Sequence, residues 1–463
     1  MKKDIKLFVL TWRISFLAGI VSFLISGCDS FTEVDLPDSQ LTAKAVYQDR
    51  TTANAAMVDI YSKIRDGGLL TGSLLGLSSR LGLYADELDL YGGEINFYNN
   101  ALLPSGSEVS ELWNSSYNQI YAANAVIAGV ENSVSLNTTD KDQLKGEALF
   151  VRALLHFYLT NSFGSIPYIG TTDYEDNKGV HRIPENEVYA LIKTDLENAI
   201  DLLPEDYITE ERVRPNKWTA EALLARVNLY MGAWDEASNA ASAVLNETGL
   251  YSWESDLDKV FLKESTTTIW QLMPKIPGDN TLEAETFSFF SGPPPLSALS
   301  SSLMTSFTAG DQRKMQWITA VSDGTDLWYH ASKYKAVGNT GSSMEYSIVF
   351  RLAEQYLIRA EARAHQGDLI GAKEDLNKIR NAAGLPNTES TTAATIIDAV
   401  IAERRLELFT EFGHRFFDLK RIGKLDAVLS PVKAGWNSTD LNFPLPESEL
   451  LLNPNLAPQN AGY

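Results

Sequence analysis

The sequence predicts a mostly α protein of helical-hairpin repeats, with an irregular aromatic-rich insertion and a loop-rich C-terminal segment. Apolar and small residues recur every three or four positions along most of the chain, the period of a helix with one buried face. Glycines punctuate these runs where two helices would turn back on each other. One such pattern also returns 135 residues later at identical offsets.

Composition narrows the function. The chain has 463 residues and a formal charge of −21, from 60 acids against 39 Lys and Arg. An acidic surface repels phosphate, so nucleic acid is not an expected partner. One cysteine permits no internal disulfide, no CxxC redox centre and no multi-thiolate zinc site.

That cysteine is explained by its setting. Lys2, Lys3, Lys6 and Arg13 give a basic start, Ile14 to Ile25 is a short apolar run, and Leu24-Ile25-Ser26-Gly27-Cys28 follows. The run is shorter than the roughly 20 residues of a membrane span. It resembles a bacterial lipoprotein signal peptide, 1–27, with Cys28 as the acylated first residue of the mature chain. Residues 28–48 would then be a tether, opening with the acids Asp29, Glu33, Asp35 and Asp38. Acyl chains at about 0.8 kcal/mol per buried CH₂ would hold the protein on a membrane.

From residue 49 to 463 a single domain is expected. Its helical repeats cover about 49–250 and 346–385, its insertion about 251–345, and its C-terminal region 386–463. The first hairpin pairs Thr51–Ile64 with Glu111–Val130 across a long loop. The second pairs Gly146–Phe163 with Glu185–Leu203 across another. The third is the clearest: Asn216 is an N-cap candidate, Ala222, Ala225 and Leu229 share a face, Gly232 breaks the helix, and Trp234, Ala237, Ala241 and Val244 resume the spacing. The fourth repeats it, with Ala360, Gly367, Leu369, Ala372, Leu376 and Ile379 at matching offsets. The pattern resembles the tetratricopeptide unit.

The chain has no GxSxG elbow, no HExxH and no GxxxxGK[ST] loop. Asp173, Glu175 and Asn177 begin like a calcium loop, but Lys178 stands where glycine must turn the chain and Pro184 where the closing glutamate belongs. No metal or cofactor is expected, and no catalysis. A glycoside hydrolase needs only two carboxylates and is the distant alternative, with Asp86, Glu87 and Asp89 as the densest loop cluster.

Capture of a sugar uses other chemistry. Rings stack on C–H faces while amides and carboxylates satisfy hydroxyls, so aromatics beside amides in loops are the signal. Tyr84–Asn100 and Tyr251–Glu345 carry it. Single aromatics are usually packed; as a group in loops with little regular core they favour binding.

Several segments together resemble one family. Arg152-Ala153-Leu154-Leu155-His156-Phe157-Tyr158-Leu159 followed by Phe163-Gly164-Ser165-Ile166-Pro167 is similar to a signature of the SusD/RagB outer-membrane nutrient-binding lipoproteins. Lys217 to Arg226 resembles the family's third repeat and Arg351 to Arg380 its fourth. Glu403-Arg404-Arg405-Leu406-Glu407-Leu408 with Gly413 to Arg421 resembles its late acidic-basic helix, and Phe443-Pro444-Leu445-Pro446 through Tyr463 its end.

The resemblance implies a lipid-anchored protein, facing the exterior of the outer membrane, that takes a glycan or other oligomeric nutrient and hands it to a SusC-like TonB-dependent transporter. RagB-type members make peptide a second candidate cargo. By region, it places ligand contacts at Tyr91, Phe97, Tyr98 and Asn99, and at Trp270, Trp317, Trp328 and Tyr329 in the insertion. The charged residues of the late helix alternate in sign at helical spacing and read instead as ion pairs fixing the C-terminal region to the repeats.

Overall fold

A stack of antiparallel helices runs through the protein, each packed on its predecessor. The computed structural model describes residues 43–463, so Cys28 and the signal segment lie outside the described residues. The short helix Ala43–Val46 belongs to a first unit, and Tyr47–Tyr463 form a second that carries every other described element.

In that second unit α1 (Arg50–Asp66) packs on α3 (Ser107–Asn132), with the short α2 (Leu77–Tyr84) in the loop between them. Next come α4 (Thr138–Phe163) on α5 (Glu185–Leu202), α6 (Lys217–Met231) on α7 (Trp234–Asn246), and α8 (Leu352–Gln366) on α9 (Leu369–Ala382). Contacts of α3 with α4, α5 with α6 and α7 with α8 join the hairpins into one stack. The fold is mostly α with tetratricopeptide-like hairpins, as the periodicity predicts.

Local chemistry explains the two clearest repeats. Asn216 caps α6 through a reciprocal box with Thr219, satisfying end N–H groups that a helix leaves unpaired. Gly232 and Gly367 close α6 and α8 at φ +70° and +85°, where a side chain would be strained. Both α8 and α9 begin 135 residues after α6 and α7. The small Ala360, Ala364 and Ala372 let α8 and α9 approach closely around Leu357, Leu376 and Ile379, all buried. Each large aliphatic side chain buried there contributes about 1.5–3 kcal/mol.

Buried ion pairs lock successive layers. Arg226 of α6 donates to both carboxylate oxygens of Glu354 in α8 at 2.7 Å and to the Tyr158 hydroxyl of α4 at 2.8 Å. Arg152 forks onto Asp195 between α4 and α5.

The late charges pair in the same way. They lie on α10 (Ala393–Glu407) and α11 (His414–Arg421): Arg404 on Asp418, Arg421 on Glu361 of α8 and on Asp418, and Glu403 with Arg380 of α9. Arg313 and Arg351 join them through Glu403, Glu407 and Glu411.

The insertion is less irregular than expected. Strands β1 (Leu88–Leu90) and β3 (Ser297–Leu299) pair antiparallel, β2 (Thr268–Leu272) pairs with β6 (Ser347–Arg351), and β4 (Ile318–Ser322) forms a hairpin with β5 (Leu327–Ala331). The β1–β3 and β2–β6 pairings join residues roughly 75 to 210 positions apart, which local periodicity does not show. They tie the loop after α2, and the last helical hairpin, to the insertion.

Candidate aromatic binding surface

The candidate surface is assembled where β1 meets the insertion. β1 pairs with β3, and β5 packs beside β3. The residue just after β1, Tyr91, thereby reaches Trp328 of β5, and the two rings meet edge to face at 6.5 Å. Tyr91 is 46% exposed. Trp328 is half-buried and its ring lies so close over Gly292 that a Cβ there would come within 2.0 Å of it. Glycine at that position is what lets the indole lie down.

Tyr98 is the third ring. It ends the short helix Ile95–Tyr98, half-buried, with the Lys433 ammonium 3.8 Å from its ring centre. Partial burial, then the nearby Asp89 and Tyr91, pushes its hydroxyl above the ordinary range. Burial pulls Lys433 down to about 8, opposed by Asp89 and Asp86, and its Nζ donates to the Leu83 carbonyl at 2.6 Å. Asn99 follows, exposed. Among the described residues, the hydroxyls of Tyr91 and Tyr98, the Trp328 indole N–H and the Asn99 side chain make no hydrogen bond, and Tyr91 and Asn99 are exposed.

A rigid base lies beneath. Asp86 is buried and receives Arg415 at 2.8 Å and Arg405 at 2.7 Å. Burial opposes its ionisation, but Arg415 and then Arg405 hold it below its ordinary value. Ser300 fastens the same loop to the end of β3, donating from Oγ to the Asp86 carbonyl and from N to the Glu87 carbonyl. Glu87 is sealed inside, and burial followed by the Asp86 charge pushes it up to about 7. The acid cluster is thus a foundation, its first two carboxyls turned away from solvent.

Three of the residues expected to contact ligand do not reach the surface. Phe97 is fully buried, packed on Tyr84 and Phe443 with the Arg80 guanidinium 5.1 Å from its centre. Trp270 is also fully buried, between Phe150 of α4, Phe350 and Tyr61 of α1, its indole N–H donating to Val213. Trp317 is 1% exposed against Phe261, donating to the Leu257 carbonyl. These rings are core. The expectation failed because the insertion is packed against the helices and against its own strands, which supply the apolar surface that a free loop lacks.

Tyr329 is half-buried but belongs to the other face of the hairpin. It pairs with Ala320 while Trp328 pairs with Val321, and neighbours along a strand point to opposite sides. The structure therefore brings together Tyr91, Tyr98, Asn99 and Trp328. Sequence reasoning missed Lys433, which reaches the site from the C-terminal region with no local signature.

The other singled-out residues have structural partners. Asp173 caps a short helix by accepting from Glu175 N, and the Asn177 amide donates to the Thr171 carbonyl. His156 is buried, stacked on Tyr168 and pushed down to about 3 by burial, while His365 stacks on Trp234.

The chain is similar to known proteins along most of its length. Two models of one family match: the model described as "Starch-binding associating with outer membrane" over residues 91–229, and the model described as "SusD family" over 314–443. SusD-like protein P2 of Formosa agariphila is 28% identical over 414 residues, spanning 77% of this chain and 81% of that protein. A SusD superfamily protein of Bacteroides vulgatus superposes with a TM-score of 0.77 at 21% identity, over 90% of this chain and 100% of that one. A laminarin-binding SusD-like protein superposes at 0.73 with 24% identity, over 89% and 99%. Family models, relative and shared fold agree: the chain belongs to the SusD/RagB family.

Proposed function

We propose that this protein is a lipid-anchored glycan-capture protein of the outer membrane, binding an oligosaccharide at Tyr91, Tyr98, Asn99 and Trp328 and delivering it to a SusC-like TonB-dependent transporter. The observation that carries the reading is that Tyr91, near Tyr98 and Asn99 in one loop, meets Trp328 of the distant β5, with polar groups that make no hydrogen bond among the described residues. Rings of this kind stack on sugar C–H faces, and the free amide, hydroxyls and indole N–H suit sugar hydroxyls. The starch-binding description of one family model and the laminarin-binding relative in fold support glycan over peptide. Anchoring is assigned to Cys28, which requires signal cleavage before it.

Calorimetry against neutral and anionic polysaccharides and a peptide panel tests the reading. Binding of a polysaccharide, with no reducing ends released on incubation, is the expected result. Binding of peptides alone would replace glycan by peptide cargo, and released reducing ends would replace capture by hydrolysis. For the anchor, Cys28→Ala is expected to leave the membrane fraction; retention there would mean an uncleaved helix.

A further inference from the structure

The face of β5 that carries Trp328 does not stop there. Thr319 lies opposite His330 and Val321 opposite Trp328, so these four residues share one face of the hairpin, with Ser332 one step further. Two residues along a strand advance about 6.8 Å. One such step from Trp328 brings the chain to a groove of about 560 Å³ whose lining includes Thr319, Val321, His330 and Ser332 of this face, the neighbouring Ala320 and Ser322, and Phe289 and Phe290. The Phe289–Phe290 segment and the platform are one piece of chain: Phe289 packs on His330 at 5.0 Å, and three residues later Gly292 lies under the Trp328 ring.

The lining has a definite chemistry. Phe290 is 82% exposed, an aromatic ring left almost wholly to solvent at the groove's edge. The hydroxyls of Ser288, Thr319 and Ser332 make no hydrogen bond within the described residues. Its charged groups are paired or disfavoured: Lys335 pairs with Asp258, and burial lowers the His330 ring, which faces Phe289 and the Ala331 carbonyl, below its ordinary value. An exposed ring with free hydroxyls and no unpaired charge suits a neutral sugar chain. A uronate or sulfate ester would find no free cation in the groove and would approach a chain of charge −21.

We propose that this groove is a second subsite, with Phe290 as its stacking ring, that receives the continuation of a neutral oligosaccharide held on the Tyr91–Tyr98–Trp328 platform. The inference rests on the glycan-capture reading above and adds to it the ligand's class and its extended length. Affinity then rises with chain length until the groove is filled, and Phe290 accounts for part of that rise.

The test is calorimetric titration of the mature protein, first with laminarin, starch, xylan, mannan, alginate and polygalacturonate. The oligosaccharide series from whichever neutral polymer binds follows, from disaccharide upward. Wild type is expected to gain affinity with length, Phe290→Ala to reduce that gain about three- to tenfold, and Phe290→Tyr to restore it. Trp328→Ala is expected to weaken all lengths alike.

No gain with length in the wild type, or a full gain in Phe290→Ala, overturns the second subsite while leaving capture intact. Binding confined to alginate or polygalacturonate overturns the neutral class. Absence of any glycan binding overturns the capture reading and this inference with it. An unchanged melting temperature in Phe290→Ala separates lost contact from lost folding, as expected for so exposed a ring.

Discussion

Trp317, just before β4, and Trp328, within β5, belong to one two-stranded hairpin and meet opposite fates. Trp317 sits at its base, where Phe261 packs on the ring, Lys333 and Arg351 approach it at 5.2 and 5.9 Å, and its N–H is satisfied by Leu257. Trp328, on the second strand, rests on Gly292, meets Tyr91 edge to face and makes no indole hydrogen bond among the described residues. Both are tryptophans in one loop-rich segment. What distinguishes them is the supply of partners: the base of the hairpin is enclosed by the C-terminal ion-pair network, whereas its β5 face looks outward beside β3. Aromatic richness in an insertion therefore builds a core and a platform at once.

The sharpest way to break this contrast is to attack the enclosed side. Trp317→Ala is expected to cost about 3–5 kcal/mol, read as a large fall in thermal midpoint. Asp86→Ala leaves Arg405 and Arg415 buried beneath the platform without their carboxylate, and is expected to cost a similar about 3–5 kcal/mol and to weaken binding as well. Either variant melting like the wild type would mean that these groups are not structural.

The buried carboxyls give an intermediate effect with a defined sign. Glu283 is sealed, accepts from Ser347 and is pushed by burial from 4.5 up to about 7. A raised folded value means its contribution to stability is complete below about pH 4.5 and is lost as pH rises through about 7. The difference amounts to at most about 3 kcal/mol. Glu283→Gln, which mimics the protonated carboxyl, is expected to remove part of the decline in denaturant midpoint between pH 4.5 and 7. A profile identical to wild type in that window contradicts the assignment.

The hairpin scaffold was legible because it is local. Asn216, Gly232, Gly367 and the alanine-lined faces each act within one turn or one hairpin, and the late charges alternate at helical spacing. The platform was legible only in part. Tyr91, Tyr98, Asn99 and Trp328 carry the signal of aromatics beside amides in loops, yet Phe97, next in sequence to Tyr98, points inward because successive residues on a helix are turned about 100° from one another. Trp270 and Trp317 are buried by partners far along the chain, Phe150, Phe350 and Phe261 among them. Lys433 reaches Tyr98 across more than 300 residues, and Phe290 had only the Pro293-Pro294-Pro295 run nearby to mark its segment as a loop. Register and long-range pairing decide which face a ring takes, and neither is written in composition.

The smallest stability effect belongs to the platform, and it carries the central claim. Trp328→Ala is expected to stay within about half a kcal/mol of wild-type stability, because its ring rests on glycine and solvent more than on core. Its affinity for the glycan that wild type binds is expected to fall about fivefold or more, since stacking on an exposed ring contributes about 1 kcal/mol. Calorimetric titration of Trp328→Ala beside its melting curve is the most direct measurement: a preserved midpoint with weakened binding is the predicted result, and a preserved midpoint with wild-type affinity would contradict the account.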